Sequence, residues 1–179
     1  EAFSEYIYQW DTCLMLFFAR YGYHMFPTIT SLDNFYRIQA ADGYICREPS
    51  ELTGECLCYK GCENSVNPPI FSWAEWGHFK LTGDASRFSE TIRSVKDNSE
   101  KSVLQRLIDY YHWVDNNRNS SEGLYWNTPL GCGRDRGNAA WSSSRYLEFR
   151  RDTQTGCTKS LRHELLRKHR ASRYGDLIV

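Results

Sequence analysis

The sequence predicts an all-α protein of antiparallel helical hairpins, and three observations predict it. Apolar residues recur at spacings of three and four in four separate stretches. Those stretches are punctuated by turn residues and two long polar loops, and no stretch alternates polar with apolar as a strand would. Periodicity of this kind fits an open solenoid or a closed α/α ring equally well.

The first helix is predicted over about residues 11 to 22. Leu14, Leu16, Phe17, Phe18 and Tyr21 share its pattern, Asp11 and Thr12 suit its cap, and Gly22 its stop. A second follows Pro27 through Ile29, Leu32, Phe35, Tyr36 and Ile38, reaching about Ala41 before Asp42-Gly43. Residues 42 to 67 hold no period and read as a long loop, the kind that usually carries function. Asn67-Pro68-Pro69 then opens a third helix that Thr82-Gly83 ends. A fourth is clearest through Val103, Leu107, Tyr110, Tyr111 and Val114, and a second long loop covers residues 119 to 138.

Residues 142 to 179 have a different composition from the rest. Nine Lys or Arg stand against four Asp or Glu there, a charge of +5, so the first 141 residues carry −5 of a total of zero. Lys159 to Arg170 could form a short basic helix, and the expected organisation is one domain over 1–141 with a basic tail over 142–179. Zero net charge provides no overall field for nucleic acid, and the longest apolar run, Cys13 to Ala19, is far short of a membrane span. The chain begins at Glu1 rather than Met, so a longer product is expected, with any targeting sequence out of view.

Seven cysteines cannot all pair within the chain. Cys46, Cys56, Cys58 and Cys62 lie close enough in sequence for a zinc knot, for loop disulfides or for loose thiols, and the spacing leaves all three open. His24, His78 and His112 fall in helical stretches and read as structural, while the helical spacing of Trp73 and Trp76 suits the core.

The chemistry-bearing residues cluster just before helices, where unpaired N–H groups and the positive dipole end face outward. They are Trp10-Asp11, Arg47-Glu48 with Asn67, and Trp126 through Asp135. In order, the strings WDTCLMLFFARYG, SLDNFYR, GYICRE, NPPIFSWAEW and GLYWNTPLGCGRD resemble the catalytic domain of glycoside hydrolase family 63 and its trehalase-like relatives, over about residues 8 to 141. The resemblance implies part of an (α/α)6 toroid and an inverting α-glucosidase-like hydrolase acting on an α-linked glucoside or oligosaccharide, without cofactor or metal. It implies a periplasmic, secreted or secretory-pathway setting.

Asp135 corresponds in that resemblance to the general acid, and Trp10, Asp11, Arg47, Glu48, Asn67 and Trp126 to groups that hold the sugar. An inverting reaction also needs a base roughly 6.5–9.5 Å across the bond. The family draws that base from the last third of a domain of about twelve helices, and this chain has room for about five or six. The expectation is therefore a fragment that binds but does not cleave, prone to self-association through faces left uncovered.

Simpler roles exist for the same residues. Asp11 could be a plain cap, and Arg47 with Glu48 a surface ion pair worth little. The rival from another class is a non-catalytic helical-repeat module for a peptide or glycan, although no self-similarity at about 34 or 40 residues is visible.

Overall fold

In a computed structural model of the protein, which describes residues 4–57, 64–120, 123–128 and 149–150, the chain enters in extended form. Tyr6 bridges Ser50, the Ile7 amide donates to the Pro49 carbonyl, and the Gln9 amide donates to the Arg47 carbonyl at 3.0 Å. This pairing holds Tyr8 extended, so helix α1 (Gln9–Ala19) starts two residues before the predicted cap. Asp11 is in its first turn, where a carboxylate complements the dipole, and a 3-10 turn over Arg20–Gly22 follows.

The second predicted helix is shorter than its period suggests. A 3-10 turn, Thr28–Leu32, leads into α2 (Asp33–Arg37), and the chain then leaves the helix. Gln39 diverts it, its side-chain amide donating to the carbonyls of Gly43 and Arg106. Helix α3 (Phe71–Thr82) begins just after the two prolines, and Gly83, at φ 71°, closes it with a bond to the Phe79 carbonyl.

The all-α reading is wrong between α3 and the last long helix. Strands β1 (Thr91–Arg93) and β2 (Glu100–Ser102) form an antiparallel hairpin with Ile92 opposite Lys101. A second pair joins β3 (Leu124–Tyr125) to β4 (Phe149–Arg150). The described fold is thus a mixture of helices and small two-stranded sheets, which corrects the expected partial (α/α)6 toroid. Strands of three residues are too short for a period to be read, and tertiary contacts hold this hairpin: buried Arg106 donates to the Ile92 and Ser99 carbonyls, and the Ser94 hydroxyl to that of Gln39. Ser102 ends β2 and caps α4 (Val103–Arg118), its hydroxyl accepting from the Gln105 amide.

The core is aromatic at its centre. Phe71 of α3 meets Phe35 and Tyr36 of α2 and Tyr110 of α4, with ring centroids 5.4, 5.8 and 5.5 Å away. Cys13 and Leu16 of α1 and Leu107 and Val114 of α4 close around them. Trp76 packs against this core, whereas Trp73 is exposed beside Phe17, contrary to the core reading. Among the described residues, no helix is long and apolar enough to cross a membrane.

A buried ion cluster ties the helices together. Arg87 donates to Asp33, to both oxygens of Glu75 and to Glu90, and the Tyr36 hydroxyl donates to Glu75. Burial raises the Glu75 pKa, while Arg87 pulls it back down. A carboxyl raised in the folded state contributes stability that is present below its unfolded value and is lost as pH rises. Removing the guanidinium takes away the opposing pull, so Arg87→Met is expected to cost about 3–5 kcal/mol at neutral pH. Urea unfolding at pH 4.5 and 7.5 checks this, with the deficit smaller at the acid value. Equal deficits at both would show that charge is not the cause.

Gly43 has φ 98°, and a Cβ there would lie 2.4 Å from the Asp109 carbonyl oxygen. Gly43→Ala should therefore destabilise by about 1–3 kcal/mol, measured as a lower urea midpoint with an unchanged slope. A neutral result would mean that the 38–44 turn is free to move off α4.

Candidate functional site

The residues expected to form a site come from four segments distant in sequence, and hydrogen bonds join those segments in a chain. Residues 45–50 form the middle of the arrangement. One edge pairs with residues 6–9, and along the other the Leu57 amide donates to the Glu48 carbonyl and Pro49 bridges Cys56. The segment is thus held extended from both sides, and the start of α1 is fixed beside Arg47.

Arg47 and Glu48 do form an ion pair, at 2.6 Å, but not a surface one: their side chains are 10% and 7% exposed. At that burial the pair is a fixed donor and acceptor set rather than a solvated contact. The third segment is tied to this strand by Tyr44, whose hydroxyl donates to the Ser65 carbonyl. Asn67 is buried two residues further on and ahead of the prolines that set the α3 entry.

Trp126 belongs to the fourth segment, and Arg118 positions it. The guanidinium of Arg118 is within 5.0 Å of the Trp113 ring and 4.3 Å of the Trp126 ring, and it donates to the Asn64 and Asn117 carbonyls. The Trp126 amide donates back to the Arg118 carbonyl. Next to it, the Asn127 side chain donates to the Val66 carbonyl at 2.7 Å, and the Ser65 and Thr128 hydroxyls share a bond. Burial pushes the Arg118 pKa down, yet its acceptors are carbonyls and aromatic faces.

Two expected members stand apart from this assembly. Asp11 is exposed in the first turn of α1, and the ion pair of Arg47 is with Glu48. Trp10 is half-buried on the same turn. Asp135, the residue in the general-acid position, lies outside the described residues, as do Cys58, Cys62 and the basic tail.

Sequence reasoning missed two residues that build this region. Gln9 is fully buried, near enough to the Tyr110 hydroxyl for a 3.4 Å bond, with no acceptor for its amide nitrogen. Its position directly before Trp10-Asp11 was the available signal. Arg118 sits in a polar DNNRN helix end that resembles any solvated terminus, and nothing local marks it.

The cysteine alternatives narrow in part. No disulfide joins Cys13, Cys46 and Cys56, and a hydrogen bond from Cys46 lowers the Cys56 pKa. Among the described residues, no group of three or more His, Cys, Asp or Glu could hold a metal ion. Chemically, Arg47, Glu48 and Asn67 carry donors and acceptors suited to hydroxyls, and Trp126 an apolar indole face.

Comparison with protein-family models gives no match, and no solved structure matches the fold. The chain is similar to an uncharacterized protein of Borreliella burgdorferi, at 29% identity over 121 residues. That match covers 68% of this chain and 23% of the relative, so the chain spans about a quarter of the protein it resembles.

Proposed function

We propose that this chain forms one wall of the sugar site of an inverting α-glucosidase-like hydrolase of the family 63 type, and that alone it binds an α-linked glucoside without cleaving it. One observation carries the reading: the three segments that hold Arg47 with Glu48, Asn67 and Trp126 are joined to one another by bonds through Tyr44, Arg118 and Asn127. A plain structural role for each would not require their segments to be joined.

The chemistry fits a pyranose. A guanidinium beside a carboxylate offers donors and an acceptor side by side, which suits two adjacent ring hydroxyls. Asn67 adds one donor and one acceptor on a buried amide. The Trp126 indole, held by the Arg118 guanidinium, presents a flat apolar surface for the C–H face of the ring. Asp135 takes the acid role by resemblance, and the base would come from elsewhere in a longer protein. Substrate would then be held with no group to activate water, so binding and turnover separate.

Titration with maltotriose, followed by NMR or calorimetry, is expected to show saturable millimolar binding. Arg47→Met and Trp126→Ala should each weaken it about tenfold, in keeping with the loss of a charge-assisted bond or an aromatic face. Absence of any saturable response would remove the carbohydrate reading. In parallel, the chain is expected to release no chromophore from aryl α-glucosides. Turnover that Asp135→Asn abolishes would overturn the claim that the base is missing.

A further inference from the structure

We infer that the outer stripe of α1 is the contact face of a two-fold dimer of this chain. The inference does not rest on the carbohydrate reading. Leu14, Met15, Phe18 and Tyr21 recur along one side of the helix, and Met25 and Phe26 extend the row past the 3-10 turn. All six are exposed, Phe18 by 69% and Met25 by 79%. Trp73 of α3 widens the stripe, its ring 3.8 Å from that of Phe17.

Size is the first argument for a second copy. At roughly 150–250 Å² for a whole aromatic side chain and less for an aliphatic one, these exposures leave about 800 Å² of apolar surface in water. That exceeds the roughly 300–600 Å² largest patch of an ordinary monomer, and it equals the share each partner gives to a standard interface of about 1,600 Å².

Composition is the second. Aromatic residues and Met are enriched at interface centres and charges are depleted there, and the middle of this stripe has that character. Arg20 lies at its edge, with its guanidinium over the rings of Phe17 and Tyr21, at 5.2 and 5.4 Å. Asp11 stands at one end, where it would fall on the rim.

Symmetry is the third. A two-fold axis through Phe18 sets Phe18 against itself and Met15 against Tyr21 of the second copy, so apolar meets apolar at the centre of the row. Such an isologous contact closes at two chains and leaves no free end.

Sedimentation equilibrium of the full chain, across about 1–100 µM, tests the inference. The expected species is a dimer of 21.0 kDa chains. Phe18→Glu places two carboxylates on the axis and should weaken the dimer at least 100-fold, with unchanged circular dichroism and unfolding midpoint because the side chain is mostly in water. Met25→Glu should act in the same direction. Leu52→Glu, at an exposed residue outside the stripe, should leave the dimer intact. A monomeric parent, particles larger than a dimer, a dimer indifferent to Phe18→Glu, or equal weakening by Leu52→Glu would each overturn it.

Discussion

One guanidinium sets the frame on which the rest of the molecule is built. Arg87 stands on a short turn after α3 and reaches Asp33 at the head of α2, Glu75 inside α3 and Glu90 beside β1. Glu75 is completely buried, and desolvation is the largest influence on it. Such a cluster adds little net stability over an apolar one, but it tolerates only one arrangement, since any displacement leaves a charge buried without its partner. Its return is therefore geometric: α2 and α3 are locked in register, and Tyr36 is held by its hydroxyl to Glu75.

From that register the site follows by contact. Tyr36 and Phe35 pack on Phe71, Phe71 packs on Tyr110, and the Tyr110 hydroxyl reaches Gln9 at the first turn of α1. Gln9 gives its amide to Arg47. The ion cluster is thus linked to the Arg47–Glu48 pair through aromatic packing and one buried amide, with no charge in between. At the other end of α4, Arg118 performs the matching task for the loop that carries Trp126.

What the sequence made legible was whatever local chemistry decides. Helix α3 was readable because prolines precede it and Gly83 follows it, and α4 because its period runs unbroken over four turns. The segments around Arg47, Asn67 and Trp126 were readable as site-bearing because long loops before helices need a reason. Features fixed by distant partners were not legible. Arg87 meets Asp33 across 54 positions, and the β1–β2 hairpin depends on Arg106 and Gln39 rather than on alternation. The exposure of Asp11 and Trp73 follows from which face of α1 and α3 the core occupies, and an amphipathic count cannot say which apolar face is left over.

Three of the four buried arginines divide by what accepts from them, with Arg87 in the frame and Arg118 at the loop that carries Trp126. Arg87 donates to carboxylates, and burial raises the pKa of one of them, Glu75. Arg106 and Arg118 donate to backbone carbonyls, and Arg118 also lies against two indoles. Those acceptors do not titrate in any ordinary range. The Arg118–Trp126 contact is thus indifferent to pH, whereas the register of α2 and α3 rests on a carboxyl whose pKa burial raises. The Trp126 side of the site is therefore held by neutral acceptors, whereas Arg47 is held by the carboxylate of Glu48.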